Sequence, residues 1–280
     1  MPELPEVETV RRGLEKSLIG SKIEEVILRR NNLRSEFPGD FALSLKGQKI
    51  KSISRRAKYL LFSFEKSELL VDINLIAHLG MSGRFSIIKT NESVEFQKHD
   101  HVIFLLDNGY SLVYNDPRRF GLMTICDTGS IDRHKLLSHL APEPLGNGFN
   151  EEYLKEQLKR HSAAIKPVIM DQKVVVGVGN IYASESLFIS GISPLRKANT
   201  ITNDEISRLV QAIKQVLTAA IEAGGSTLKD FAHVSGEEGY FQHKFHVYGK
   251  DGKNCGECGA AIISIKQAGR ATYYCANCQK

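Results

Sequence analysis

The chain begins with MPELPEVETV, in which a proline and a glutamate directly follow the initiator methionine. Because its second residue is small, Met1 is expected to be removed, and Pro2 then carries the N-terminal amine. An α-amino group has a pKa of about 7.7–8.0, and the start of a helix beside it lowers that pKa further. Such an amine can attack an aldehyde-like carbon and form an iminium, while Glu3 transfers the proton. The alternative is a processed N-terminus whose prolines only begin a helix.

Four of the five cysteines form two C-x2-C pairs near the C-terminus, with sixteen residues between the pairs. Without a secretory signal, this spacing predicts a tetrahedral zinc site rather than disulfides. Four thiolates saturate the metal, so the ion is structural. Residues 259–274 are long enough for a β-hairpin with Gly269 and Arg270 near its middle. The predicted ligands of this one Zn²⁺ ion are Cys255, Cys258, Cys275 and Cys278; the fifth, Cys126, is predicted to be a core thiol.

Two short turns carry side chains that suit a base stack. DPRRFG (116–121) places Arg118 and Phe120 on a tight turn, and HLGMSGR (78–84) places Met81 between glycines. An arginine beside an apolar side chain can insert between stacked bases. In the alternative interpretation of this turn, Phe120 folds back into the core. In VVVGVGN (174–180), Asn180 is predicted as the N-cap of a helix whose free N–H groups suit a phosphate.

Charge and composition narrow the class of protein. Between Arg29 and Lys58 there are nine Lys or Arg residues and two acids, a pattern that fits either a solvated face or a phosphate-facing surface. No signal peptide is evident, and no apolar run is long enough to span a bilayer. We therefore expect a cytoplasmic protein without a membrane partner, and a monomer.

The periodicity of the chain predicts elements that would position these residues. A helix over 5–18 is followed by short strands, among them 48–56, 59–64 and 69–74, which indicate an antiparallel sandwich or barrel. Helical patterns follow from residue 150, including 203–223 with a Thr202–Glu205 capping box. Residues 226–248 have weak periodicity and are predicted to be a mobile loop. The fold class is thus α+β and multi-domain, divided into 1–128, 129–225 and 226–280.

Seven segments together resemble the bacterial formamidopyrimidine-DNA glycosylases. In order along the chain these are PELPEVETVRRGLE, RRAKYLL, HLGMSG, DPRRFG, VVVGVGNIYASE, GGSTLKDF and the terminal cysteine pairs followed by QK. The resemblance covers essentially the whole chain. Residues 233–249, which include three histidines, depart most from the family pattern.

The resemblance implies a fold and an activity. It implies an N-terminal β-sandwich, and a C-terminal helix–two-turn–helix domain with a zinc finger, which bend damaged double-stranded DNA between them and flip the lesion out. It implies removal of oxidised purines through a Pro2 iminium, followed by β- and δ-elimination. Glu3 would be the acid–base group, Glu6 would lie in the active site, and Lys58 would touch the phosphate or the lesion. The residues implied to grip phosphates are His78, Asn180 and Arg270, and those implied to fill the vacated stack are Met81, Arg118 and Phe120.

Two other functions remain open from the sequence. An endonuclease VIII-like glycosylase would share Pro2 and Glu3 but prefer oxidised pyrimidines. A non-catalytic zinc-ribbon protein that binds damaged DNA would not need Pro2 or Glu3, although both are present. PELPE and the intact DPRRF turn favour the purine enzyme.

Overall fold

The computed structural model describes residues 2–90, 95–226 and 239–280. The chain divides into two compact units. The N-terminal unit comprises residues 1–138 and 224–239, and the C-terminal unit comprises 139–223 and 240–280. Among the described helices, none combines the length and the apolar composition that a bilayer crossing requires.

The N-terminal unit is a helix-capped β-sandwich, as the alternating pattern of the sequence predicts. Two antiparallel four-stranded sheets, with orders β1-β6-β7-β5 and β2-β3-β4-β8, form it among the described residues. Its elements are α1 (Leu4–Leu18), β1 (Ile23–Leu28), α2 (Phe41–Leu45), β2 (Ile50–Arg56), β3 (Tyr59–Phe64), β4 (Ile73–His78), β5 (Arg84–Lys89), β6 (Asp100–Leu106), β7 (Tyr110–Asn115), β8 (Leu122–Asp127) and a 3₁₀ turn, Thr128–Arg133.

Apolar side chains from both sheets and from one face of α1 fill the sandwich. Residues of β3 alternate between buried and half-buried positions, which is the period of a strand with one face on a core. On α1, Val7, Val10 and Leu14 recur at three- and four-residue steps and are buried in the same core. This packing fixes α1 against the sheets, and the helix start is thereby held in place.

The predicted strand 69–74 is wrong in its position. The observed strand β4 begins at Ile73 and runs to His78, and it pairs with β3 on one side and β8 on the other. Leu69 and Val71 instead lie in an exposed loop, and Leu69 is 93% accessible. Because five consecutive residues of β4 are buried, the strand lacks the alternation that marks a half-exposed strand.

The C-terminal unit is helical apart from one hairpin. The long helix α6 starts with the predicted capping box, in which Glu205 accepts from the Thr202 N–H at 2.8 Å. A second core lies between the helices. The elements are α3 (Glu151–Lys159), α4 (Ile165–Ile169), α5 (Asn180–Ile189), α6 (Asn203–Glu222), β9 (Ile263–Gln267), β10 (Arg270–Tyr274) and 3₁₀ turns at Ala198–Thr200 and Phe241–Lys244.

Part of the predicted loop 226–248 packs into the helical core. Residues 227–238 lie outside the described residues. From residue 239 onward, Phe241 and Phe245 are buried in the helical core, and the Phe241 ring contacts the Tyr182 ring at 5.8 Å. Two aromatic residues four positions apart supplied enough apolar surface to fold this segment, although its overall composition is polar.

Candidate active site and nucleic-acid interface

The first turn of α1 is closed by two glutamates. Glu3 is the N-cap, its carboxylate accepts from the Glu6 N–H, and its own N–H donates to Glu6 Oε2 at 2.9 Å. Pro5 occupies the first turn, where no backbone N–H is needed. Only 3% of Glu3 and 2% of Glu6 are accessible to solvent. The capping box therefore holds two buried carboxyl groups beside Pro2, which is also buried.

Ser226 fixes the second oxygen of Glu6. Its N–H and its hydroxyl group both donate to Glu6 Oε1, each at 2.9 Å. Gly225 precedes it with a φ of +78°, and a Cβ there would lie 3.1 Å from the same oxygen. Sequence reasoning missed Ser226, because a partner 220 residues away leaves no local signal.

Lys58 lies in the turn between β2 and β3 and is buried. The next residue, Tyr59, pairs with His78 across the sheet, and their rings lie 4.9 Å apart. Burial and the positive charges of Lys58 and Arg34 lower the pKa of His78 to about 4. Lys58 and His78 are thus neighbours at one end of the sandwich, and His78 is neutral at physiological pH.

The tautomer of His78 follows from its backbone contact. The Gly80 N–H donates to His78 Nδ1 at 2.9 Å, so Nδ1 carries no proton. The proton of the neutral ring must then be on Nε2. His78 can therefore donate a hydrogen bond from Nε2 to an anion without carrying a charge.

Asp116 joins the two turns that carry the predicted wedges. It is fully buried, and it accepts from Ser82 Oγ at 2.6 Å and from the Gly121 N–H at 2.8 Å. The Arg118 N–H in turn donates to Ser82 Oγ at 3.2 Å. A single carboxylate thereby locks the 78–84 turn to the 116–121 turn.

The side chains at the tips of these turns remain accessible. Phe120 is 44% exposed rather than folded into the core, and the Arg118 guanidinium lies 5.1 Å from its ring centroid. Met81 is half-buried in the adjacent turn. Gly80 has a φ of +65°, and a Cβ on it would overlap with the Phe120 carbonyl group. Glycine is therefore required where the two turns touch.

The sequence predicts Asn180 as the N-cap of α5, and this prediction is wrong. Gly179 is the N-cap, and Asn180 is the first helical residue. Its side chain is held elsewhere: Oδ1 accepts from Lys166 Nζ at 2.7 Å, and Nδ2 donates to the Ala271 carbonyl group at 2.9 Å. The amide is thus committed to a tertiary contact with β10.

Lys166 is a buried cation that the sequence analysis did not identify. Besides Asn180, its ammonium group donates to Thr272 Oγ1 at 2.7 Å and to the Ala271 carbonyl group at 3.1 Å. Three acceptors match the three N–H groups of the ammonium ion, as burial of a charge requires. Lys166 therefore ties α4 and α5 to the hairpin that carries Arg270.

The hairpin has the predicted form. Ala268 and Gly269, both with positive φ, make a two-residue turn between β9 and β10, and Arg270 follows it, exposed to solvent. A turn of this kind matches the right-handed twist of its strands. Arg270 is thus presented at the end of a fixed hairpin.

The four predicted metal ligands converge below the hairpin. Their sulfur atoms all lie within 4.8 Å of one another. A tetrahedral zinc site with Zn–S bonds of about 2.3 Å places its sulfurs about 3.8 Å apart. Two observed distances match: Cys255 Sγ to Cys278 Sγ is 3.8 Å, and Cys258 Sγ to Cys275 Sγ is 3.5 Å. The thiols fit one structural zinc ion.

The predicted site residues fall into two sets. The N-terminal unit holds Pro2, Glu3, Glu6, Lys58, His78, Met81, Arg118 and Phe120. The C-terminal unit holds Asn180, Arg270 and the four cysteines. Within each unit the structure brings several of them together: Glu3 with Glu6, Lys58 with His78, and Asn180 with the strand that Arg270 begins.

Comparison with known proteins connects both sets to DNA repair. Models of the formamidopyrimidine-DNA glycosylase N-terminal domain, its H2TH domain, and a zinc finger found in FPG and IleRS match residues 1–123, 140–232 and 252–280. The formamidopyrimidine-DNA glycosylase of Ruegeria pomeroyi is 47% identical, with 100% of both chains covered.

Solved structures with the same fold contain damaged DNA. A Lactococcus lactis FPG mutant in complex with Fapy-dG-containing DNA is 35% identical, with a TM-score of 0.90 and 100% of both chains covered. The wild-type Lactococcus lactis protein with oxidised-pyrimidine-containing DNA is 36% identical, with the same TM-score and coverage. Both structures resemble the present chain over its entire length.

Proposed function

The chain belongs to the formamidopyrimidine-DNA glycosylase family, and from this premise we propose that it is a bifunctional DNA glycosylase and apurinic/apyrimidinic-site lyase of base excision repair. Its substrates are oxidised purines, 8-oxoguanine and formamidopyrimidines, in duplex DNA. The observation that carries this proposal is the buried Glu3–Glu6 capping box directly after Pro2, within a chain similar to the family throughout.

Pro2 supplies the nucleophile once Met1 has been removed. Its nitrogen forms a bond to C1′ as the glycosidic bond breaks, and the departing base takes the bonding electrons and a proton. Opening of the sugar ring, in which the C1′–O4′ bond breaks and O4′ takes a proton from Glu3, then gives the iminium, which acts as an electron sink. Loss of a C2′ proton breaks the C3′–O bond, and a second elimination breaks the C5′–O bond, leaving a one-nucleotide gap.

Glu3 moves the protons in these steps, because it is adjacent to the amine and buried from bulk water. Glu6 has a different role. Both of its oxygens accept hydrogen bonds, from the Glu3 N–H and from Ser226, so it orients the residue that carries the acid–base group.

Lys58 and His78 bind the phosphate side of the substrate. Lys58 brings a positive charge to the phosphate or to the lesion, and neutral His78 donates from Nε2. A neutral donor beside a lysine adds a hydrogen bond without adding a second repelling charge.

Met81, Arg118 and Phe120 fill the space left by the extruded nucleotide, and Arg118 reads the orphaned cytosine. The exposure of Phe120 and its contact with the Arg118 guanidinium support this role, since an accessible aromatic ring can stack between bases.

In the C-terminal unit, Arg270 contacts a phosphate, and Asn180 donates to a phosphate from the second N–H of Nδ2, whose first N–H is bonded to the Ala271 carbonyl group. One zinc ion held by Cys255, Cys258, Cys275 and Cys278 folds the hairpin that presents Arg270. We further propose a monomer located in the cytoplasm at the nucleoid, with functional parts 1–128, 129–225 and 226–280.

A cleavage assay on two duplexes tests the function. One duplex carries 8-oxoguanine opposite cytosine, and the other carries thymine glycol. We expect faster cleavage of the first duplex and a product with phosphates on both sides of the gap. Faster cleavage of thymine glycol would favour an endonuclease VIII-like enzyme, and binding without cleavage would favour a non-catalytic damage-binding protein.

A further inference from the structure

The turn that presents Lys58 has a strained backbone. Arg56 pairs with Tyr59 in the β2–β3 hairpin, so Ala57 and Lys58 alone form the turn. Ala57 has a φ of +54° at the first turn position, which hairpins normally give to glycine. A residue with a Cβ in this region costs free energy, and such positions persist only where the surroundings hold them.

Arg55 holds this turn from one side. Its Nη1 donates to the Ala57 carbonyl group at 2.9 Å, and its Nε donates to Glu8 Oε2 at 3.1 Å. Both side chains are largely buried, so water competes little for these contacts. One planar guanidinium therefore connects the strained residue to a carboxylate on another element.

That element is α1, the helix that begins with Glu3. Glu8 lies in its second turn, and it also accepts from Arg11 and Arg12. Burial opposes the ionised form, but hydrogen bonds and charges from Arg11 and Arg55 outweigh it and lower the pKa of Glu8. The carboxylate stays ionised at neutral pH, and the contact with Arg55 persists.

We propose that Arg55 and Glu8 are positioning residues that hold the Ala57–Lys58 turn at a fixed place relative to Glu3. Glu3 is the N-cap of α1, and Glu8 lies in the second turn of the same helix. Arg55 connects this part of the helix to the turn, because it donates to both Glu8 and the Ala57 carbonyl group. The backbone of Lys58, one bond further along, is oriented by the same contact. The inference rests on the proposed role of Lys58 in binding the phosphate or the lesion.

A double-mutant cycle tests this coupling. The variants are Arg55→Ala, Lys58→Ala and the pair, measured by single-turnover excision of 8-oxoguanine and by affinity for an abasic-site duplex. Arg55→Ala should lower the excision rate about 10- to 100-fold, because small displacements of an orienting group have effects of that size. In the Lys58→Ala background, Arg55→Ala should cause no further loss.

Two further variants separate positioning from folding. Ala57→Gly in the Arg55→Ala protein should restore part of the rate, because glycine adopts a positive φ without strain. Arg12→Ala is the matched control: Arg12 pairs with the same Glu8 carboxylate but is half exposed, and within the described part of the chain its guanidinium is bonded to Glu8 rather than to Ala57. It should leave the excision rate unchanged.

The outcomes distinguish the inference from the function on which it rests. Additive losses of Arg55→Ala and Lys58→Ala, or no rescue by Ala57→Gly, would overturn the positioning role alone. An unchanged rate for Lys58→Ala would overturn the proposed role of Lys58 and the inference with it.

Discussion

The start of α1 holds the buried side chain of Glu6, and the Lys166 cluster, which consists of Lys166, Asn180, Ala271 and Thr272, holds a buried ammonium group in a different way. Glu6 accepts from the N–H of the N-cap Glu3, three residues away, and from the N–H and hydroxyl group of Ser226, 220 residues away. Lys166 is bonded to Asn180, Ala271 and Thr272, which are 14, 105 and 106 residues away. Glu6 is therefore positioned by its own helix start and by one distant serine, whereas the lysine depends on three separate elements meeting.

This difference matters because the hairpin that supplies two of the Lys166 partners lies between the cysteine pairs. Ala271 and Thr272 belong to β10, which ends just before Cys275. The metal thus stabilises the hairpin that carries these partners of Lys166, whereas Glu6 accepts from Glu3 and Ser226. Each perturbation below should affect one region and spare the other.

Replacing the acid–base group should have the largest effect. Glu3→Gln should lower the excision rate about 10²- to 10⁴-fold, as loss of general acid–base catalysis does. Glutamine keeps an oxygen that can accept from the Glu6 N–H, so the helix start and DNA affinity should persist. Single-turnover kinetics measure the rate, and Glu15→Gln, exposed on the same helix, is the control. A rate within a factor of two of wild type would contradict the role of Glu3.

Removing the metal should disrupt the second region selectively. Chelation, or Cys278→Ser, should unfold the hairpin and abolish tight binding of damaged duplex, because the binding energy of a structural zinc ion is folding energy. Amide hydrogen exchange should rise in residues 239–280 and stay unchanged in α1. Equal exchange increases in α1 would show that the two regions are not independent.

Removing the buried ammonium group should have a smaller effect. Lys166→Met leaves the oxygens of Asn180, Ala271 and Thr272 without this donor, which costs about 1–3 kcal/mol in the free energy of unfolding. Urea unfolding measures that cost. Lys159→Met, an exposed change on α3, should stay within about 0.5 kcal/mol. A Lys166→Met protein of wild-type stability would mean that the cluster contributes little.

The smallest effect should come from the exposed end of the hairpin. Arg270→Ala should reduce the slope of log affinity against log salt by about 0.9, the value for one phosphate contact. Lys266→Ala, exposed on the facing strand, should leave the slope unchanged. An unaltered slope for Arg270→Ala would mean that Arg270 does not touch the backbone.

Sequence reasoning predicted features whose cause is local. The helix start, the Thr202–Glu205 cap and the zinc ligands follow from spacings of two or three residues, and the structure contains each of them. Strand β4 was misplaced because a doubly buried strand loses its alternation. Phe241 and Phe245 were missed because a few aromatic residues folded a segment of otherwise polar composition.

Features whose cause is distant could not be predicted. Nothing near Glu6 indicates Ser226, and nothing near Asn180 indicates that its side chain contacts β10 instead of capping α5. The segment RRAK contains no glycine or asparagine, the residues that most often adopt a positive φ, so the sequence does not predict the positive φ of Ala57. The contacts of Arg55 with the Ala57 carbonyl group and with Glu8, which hold this conformation, are evident only in the structure.

Borohydride trapping tests the central claim, that Pro2 is the nucleophile, most directly. The protein is incubated with a duplex bearing 8-oxoguanine opposite cytosine, the reductant is added, and peptide mass spectrometry maps the cross-linked residue. A cross-link at Pro2 is the predicted result, and it requires removal of Met1, formation of the iminium and the lyase step. Retention of DNA binding without any cross-link, or a cross-link at a lysine, would contradict the account.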